Sequence, residues 1–394
     1  MPRPWLESSL TWRHFRVDLH IHLGKTPDDN WAKIPAARDL TLSTIPDFAR
    51  RVKGLHAVGI VDIHIQSTQR WLARQLESGA CDEEPGGGYR FSCGLVVILG
   101  CEMEVRGPRG SFHIVAYLPH LDDMRSFTDW LRPHVNNPQM SSPMVKSSPG
   151  EICAVTRRLG GKVVIAHAFT PHKGFYGTHE SIHQLILDSS SFSGVELGLS
   201  SDTSMARPFA ELEPFPFITS SDAHSLERIG REFTLIEALK DDYQGIFEAL
   251  GKNKGRIVAN YGLYPSLGKY YRTECPTCGG PAQNTCYAQR HRVVKGVTQR
   301  LEELVSSTPQ AKTMPRPPYI HQLPLPDHHG MGKRRLQEAR RCLGHDHYIL
   351  HEAAPSLLAQ ALPKPLVRSI MRARQGQLTI LPGGGGRYGR VQLS

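Results

Sequence analysis

Residues 15–24 read FRVDLHIHLG, and within them Asp18-Leu19-His20-Ile21-His22 sets two histidines one residue apart in an alternating, β-branched context. Period-two alternation is the signature of a strand, and on a strand His20 and His22 share a face. Two imidazoles on one face are either metal ligands or hydrogen-bonded core neighbours, and these residues alone do not choose. The choice comes from the runs that follow.

Through residues 1–264, short apolar runs alternate with polar, helix-like stretches: VDLHI, GIVDI, LVVIL, FHIVAYL, KVVIAH, GVELGL and FITSSD. That alternation predicts an α/β fold closed into a barrel. Nearly every run ends in a ligand-type residue. His20 and His22 close the first, Asp62 and His64 the second, Glu102 follows the third, and His113 sits in the fourth. His167, Glu196, and the pair Asp222 and His224 close the others. In a barrel the C-terminal strand ends converge on one face, where chemistry is carried out. A lone strand-end Asp is commonly a cap, and a lone buried His a satisfied core residue. The ordered series instead predicts a metal site. Glu104 alternates with Glu102, Asp202 reads as a turn or cap, and His172 and His179 lie in a polar loop expected to border the substrate.

Charge divides the chain. Residues 1–264 carry 28 Lys+Arg against 30 Asp+Glu, whereas residues 265–394 carry 19 against 7. A near-neutral body with a basic tail points to a polyanion such as DNA or RNA. The longest apolar run, GLVVILGC, is far too short to span a membrane, and MPRPWLESSLTWRHF lacks the apolar core of a signal peptide. The expected location is cytoplasmic, with no membrane partner. Eight cysteines, scattered or clustered late, read as reduced thiols rather than a secreted disulfide framework.

The series DLHIH, VDIH, GCEMEV, FHIVAYLP, AHAFTP, ELGLSSDT and SDAH resembles the PHP superfamily of metal-dependent phosphoesterases. More narrowly, ELGLSSDTSMA, NYGLYPSLGKYYRTECPTCG, RPPYIHQLPL and GGGGRYGRV resemble the bacterial endonuclease Q family, through essentially the whole chain. The resemblance implies a distorted (β/α)7 PHP-type barrel holding two to three divalent ions (Zn, Mn, Fe or Mg). It implies one site of His20, His22, Glu102 and Asp222, a second of Glu102, His113 and His167, and a third using His64 and His224. Glu102, Asp222 and His224 would be the catalytic residues. Mixed imidazole and carboxylate donors suit such ions independently, and a bridging Glu102 would hold two of them about 3.5–4 Å apart. The family's T-D-H stands here as Asp62-Ile63-His64, and only Asp28 is available to complete the third site, so its occupancy is left open.

The expected organisation is a catalytic barrel over residues 1–264, a zinc-ribbon-like module over 265–306, a proline-rich linker over 307–318, and a helix-hairpin-helix region over 319–394. Cys275 and Cys278 form a zinc knuckle completed by Cys286 and His291, where relatives carry a second C-x-x-C; a degenerate module without metal is the alternative. Gly330 and Gly332 precede a basic amphipathic helix, so their amides, with Lys333, Arg334 and Arg335, are expected to grip a DNA phosphate. In a second, similar stretch Pro363 has no N–H to donate, which makes that copy structural.

The activity implied by the resemblance is a DNA repair endonuclease. It would hydrolyse the phosphodiester 5′ to deaminated bases (uracil, hypoxanthine, xanthine) or abasic sites by metal-activated hydroxide, with a sliding clamp as a candidate partner. A small-molecule phosphatase of histidinol-phosphate or nucleotide type is the alternative, and it leaves the basic tail without a purpose. A nucleic-acid-binding scaffold without catalysis is a third reading, disfavoured by the complete ligand series.

Overall fold

The computed structural model describes residues 11–185, 191–307 and 315–392. Seven strands build the barrel: β1 (Arg13–Ile21), β2 (Ala57–Ile60), β3 (Val96–Gly107), β4 (Gly110–Leu118), β5 (Lys162–Ile165), β6 (Gly194–Glu196) and β7 (Phe217–Ile218). They lie side by side in chain order, all parallel except β4, which runs antiparallel to both neighbours. The sheet curls until a single bridge between Ile21 and Ala223 joins the segment after β7 to β1. A mixed α/β fold with a curled, mostly parallel sheet is therefore what this chain adopts. Helices α1 (Gln66–Glu77), α2 (Leu121–Leu131) and α3 (Pro149–Arg158) pack outside it.

One apolar cluster unites Val17 and Leu19 of β1 with Val96, Ile98, Val115, Tyr117 and Val164, and is closed at one end by α4 (Tyr243–Leu250). Strict alternation from Val17 and Leu19 would turn His20 away from that cluster. The β1–β2 register instead shifts between Asp18 and Ile21. After it, Ile21 and Leu23 join the other apolar cluster, and His20 and His22 face the interior. A β-bulge of this kind re-aims side chains where a site needs them.

Three more strands extend the sheet from β1: β8 (Phe233–Ala238), β9 (Arg256–Leu263) and β10 (Tyr319–Gln322). The domain boundary expected at residue 319 therefore falls inside the sheet, because β10 pairs with β9 from Asn260–Tyr319 to Leu263–Gln322. The helical region begins after it, at Leu325. Of the proline-rich linker, residues 308–314 lie outside the described residues. The Cys-rich module precedes α5 (Val297–Ser307), and the last hairpin, Ile380–Leu381 with Arg390–Val391, folds back onto it, Gly383 N–H donating to Ser266 O at 2.8 Å.

Helices α6 (Lys333–Leu343), α7 (Pro355–Ala361) and α8 (Lys364–Arg374) share a core of Leu325, Met331, Leu336, Ile349, Leu358, Leu366 and Ile370. An ion-pair network, buried at Lys53 and Asp346, fastens them to the barrel. Lys53 Nζ reaches Asp346 Oδ2 at 2.9 Å, and Arg340 bonds both Asp346 (2.7 Å) and Glu227 (2.7 and 2.9 Å). No helix among the described residues is long and apolar enough to cross a membrane.

Candidate metal centre

The strand ends bring six side chains into two clusters that share Glu102. His20, His22 and Asp222 present donor atoms within 4.8 Å of one another, as do Glu102, His113 and His167. In the first cluster His20 Nε2 and His22 Nε2 are 3.3 Å apart. Glu102 Oε1 lies 3.3 Å from His20 Nε2, Glu102 Oε2 3.4 Å from His22 Nε2, and Asp222 Oδ1 3.4 and 3.8 Å from His22 and His20. Donors about 2.1 Å from a tetrahedral ion stand about 3.4 Å apart, so this set fits a divalent metal. In the second cluster Glu102 Oε1 lies 2.8 Å from His113 Nδ1 and 3.3 Å from His167 Nε2. One carboxylate thus borders both sets, which is the arrangement of a bridging ligand.

Charge keeps the two carboxylates ionised and divides the imidazoles. Burial alone would raise the Glu102 pKa, but His113, Lys33, His22 and His20 outweigh it and hold the carboxylate well below its usual range. Asp222 is depressed in the same way, burial being overcome by His22, His20 and His224. Burial opposes the His20 imidazolium, yet Glu196 and Glu102 carry its pKa well above the ordinary value. His113 goes the other way, lowered by burial in spite of Glu102.

Neighbouring groups aim the ligands. Glu196 Oε2 accepts from His20 Nδ1 at 3.0 Å, and Asp62 Oδ2 accepts Leu23 N–H at 2.7 Å while standing 3.4 Å from His22 Nδ1. Imidazoles that bind metals are usually fixed at the other ring nitrogen in this manner. Two of the ligands are also held in left-handed backbone, His167 at φ +28° and Asp222 at φ +45°, and Ser142 beside them is at φ +51°. Such conformations persist where the surroundings enforce them. At Asp222 the enforcement is visible: Arg231 Nε donates to Ser221 O at 2.8 Å, and its Nη2 to Asp222 O at 3.3 Å.

The remaining expected residues fall outside the two clusters. His64 is buried and its Nε2 donates to Met140 O at 3.1 Å, while His224 Nδ1 donates to Asp222 O at 2.9 Å; the ring of His224 lies 4.9 Å from that of His22. Glu104 pairs with Lys173, Asp202 caps the turn at Ser204 and Met205, His172 meets Tyr270 edge-on, and His179 stacks on Phe175. Sequence reading missed Asp18, Lys33, Ser141 and Ser142. Asp18 was visible as the leading letter of DLHIH; the others sit in loops whose pairing no periodicity reveals.

In the Cys-rich module, Cys275, Cys278, Cys286 and His291 converge, with Cys278 Sγ 3.6 Å from Cys286 Sγ and 3.3 Å from His291 Nδ1. Three thiols and an imidazole at these spacings fit structural zinc. In the helical region, Gly332 is the N-cap of α6, and Gly330, Gly332, Lys333, Arg334 and Arg335 line one open groove with Ala361 and Pro363.

A curled, mostly parallel sheet whose strand ends carry two imidazole–carboxylate clusters on a shared Glu defines a metal-dependent phosphoesterase. Comparisons with known proteins agree. A family model described as PHP-associated matches residues 201–254. An uncharacterized Bacillus subtilis protein, YqxK, is 38% identical over 384 residues, covering 95% of this chain and 98% of that one. The crystal structure of the lesion-specific endonuclease PfuEndoQ from Pyrococcus furiosus matches with a TM-score of 0.82 at 26% identity, over 97% of this chain and 96% of that one. A complex of endonuclease Q with a 27-mer duplex bearing an abasic lesion at the active site gives 0.83 at 26% identity, over 97% of both chains. The chain belongs to the endonuclease Q family of the PHP superfamily.

Proposed function

We propose that this chain is a DNA repair endonuclease that hydrolyses the phosphodiester on the 5′ side of deaminated bases (uracil, hypoxanthine, xanthine) or of abasic sites. The observation that carries the reading is Glu102 standing between two ligand clusters in a chain whose whole length matches endonuclease Q, including its complex with abasic DNA. Divalent ions, two or three in number, would supply Lewis acidity toward the scissile phosphate and lower the pKa of the attacking water.

The chain's own residues do the rest. His20, His22, Asp222, Glu102, His113 and His167 would hold the ions, with Glu196 and Asp62 fixing the imidazole planes. His64 and His224 border the site and are the candidates for a third ion. The Asp222 backbone is locked by Arg231. The groove of Gly330, Gly332, Lys333, Arg334 and Arg335 would hold the duplex by its phosphates, which positions without reading sequence. The lesion nucleotide would be turned out of the stack, at least cost where pairing is already lost. Zinc in the Cys275, Cys278, Cys286 and His291 set would brace the module between barrel and hairpin.

Incubating the Mn²⁺- or Mg²⁺-loaded protein with end-labelled duplexes tests the reading. A duplex with one deoxyuridine or one abasic site is expected to be nicked 5′ to the lesion, and the undamaged duplex to stay intact. Equal cutting of both, or hydrolysis of small phosphomonoesters only, would overturn it.

A further inference from the structure

Lys33 lies in the strap that connects β1 to the rest of the barrel, residues 23–44, which contains no strand or helix beyond a Lys25–Trp31 bridge. Backbone hydrogen bonds pin the strap across the mouth of the centre. Gly24 N–H donates to Leu40 O at 2.9 Å, Ala37 N–H to His224 O at 2.8 Å, and Ser141 N–H to Ala32 O at 2.9 Å. Gly24 passes so close to Ala37 that a β-carbon would lie 1.9 Å from its carbonyl oxygen, so only glycine fits. Lys33 is thereby delivered to a fixed place. Its Nζ stands 2.9 Å from His22 Nε2, 3.2 Å from Ser142 Oγ and 3.6 Å from Glu102 Oε2, with the side chain 19% exposed.

This is not an ordinary structural ion pair. Glu102 is already shared by both ligand clusters, and Ser142 donates to its Oε2. The hydrogen bond from Lys33 to His22 uses the lone pair that a metal ion would take, and the two uses exclude each other. Were the cluster loaded, Lys33 would give up His22 as an acceptor and could keep Ser142 Oγ, leaving N–H donors for another acceptor.

We propose that Lys33 is a catalytic residue that donates to a non-bridging oxygen of the phosphodiester bound at the centre, a fixed positive charge beside the ions. The proposal rests on the phosphodiester reading above. Lys33 forms and breaks no covalent bond and keeps its proton; its donors meet oxygens on which charge gathers as the phosphoryl group transfers. Ser142, held in left-handed backbone, fixes where the ammonium points.

The test compares wild type, Lys33→Met and Lys33→Arg as metal-loaded full-length proteins. Metal per chain, thermal melting, inorganic phosphate binding by calorimetry and hydrolysis of bis(4-nitrophenyl) phosphate are measured on each. Lys33→Met is expected to keep its metals and melting temperature, bind phosphate about tenfold more weakly, and hydrolyse the diester on the order of 10²-fold more slowly. Lys33→Arg is expected to recover part of both losses. Unchanged phosphate affinity in Lys33→Met would overturn the proposal. So would loss of metal from that variant, since it would place Lys33 among the groups that hold the ligands together. Lysine-dependent phosphate binding in a wild type that leaves damaged DNA uncut would sustain the role of Lys33 and remove the lesion reading.

Discussion

Asp18 accepts the backbone N–H of Ser221 at 2.9 Å across 203 residues of sequence, and so ties the strand that carries His20 and His22 to the loop that carries Asp222. Its other oxygen accepts Gly230 N–H at 2.9 Å. Burial pushes the Asp18 carboxyl up to about 6, against these backbone donors. Asp18→Asn replaces one acceptor with an N–H that faces another N–H. The variant is expected to lose about 1–3 kcal/mol of stability and to bind metal about tenfold or more weakly. Chemical denaturation beside metal titration checks both; a destabilised variant with full metal affinity would confine Asp18 to folding.

Glu102→Gln keeps shape and removes the charge that the two ligand sets share. The expected result is loss of at least one ion per chain and a fall in cleavage of more than about 10²-fold. Duplex binding should survive, because the basic groove is elsewhere. Metal analysis and a filter-binding assay on the same preparation separate these outcomes.

Replacing Lys333, Arg334 and Arg335 together with Ala should lower the slope of log affinity against log salt by about 2 to 3, as expected when three phosphate contacts are lost. Hydrolysis of bis(4-nitrophenyl) phosphate should stay at the wild-type rate. An unchanged salt slope would move the DNA path away from α6.

Where the helical region meets the barrel, His56, His347 and His351 are held below the ordinary histidine value, at about 3, about 2 and about 4. Burial is the main cause; Arg16 adds to it at all three, His351 at His347, Arg50 at His56 and Arg374 at His351, and Glu352 stands 3.2 Å from His347. Folded values below the unfolded one mean that the unfolded chain binds more protons as pH falls. The stability these neutral rings permit is complete above about pH 6.5 and is lost progressively as pH falls toward the folded values of about 4 to about 2. Melting scans are expected to show a drop of several degrees between about pH 7.5 and about pH 5, smaller in His351→Gln.

Much of the centre was legible because strands that end in His, Asp and Glu announce themselves one by one. The order of those endings points to a barrel, and His20, His22, Glu102, His113, His167 and Asp222 all lie at its mouth. The means of aiming them was not legible. The register shift after Asp18 inverts the face that alternation assigns, in a stretch where β1 pairs with β2 and also meets Ala223. Lys33 and Ser142 arrive on loops, where position follows from distant hydrogen bonds instead of local period. β10 was hidden for a similar reason: four residues after a proline-rich stretch become a strand only because β9 offers an edge.

Lys53, Asp346, Arg340 and Glu227 join residues far apart in the sequence. Their salt links tie the helical region directly to the barrel. On the function proposed above, they would fix the span between the α6 groove and the bond to be cut, like a caliper with its jaws locked.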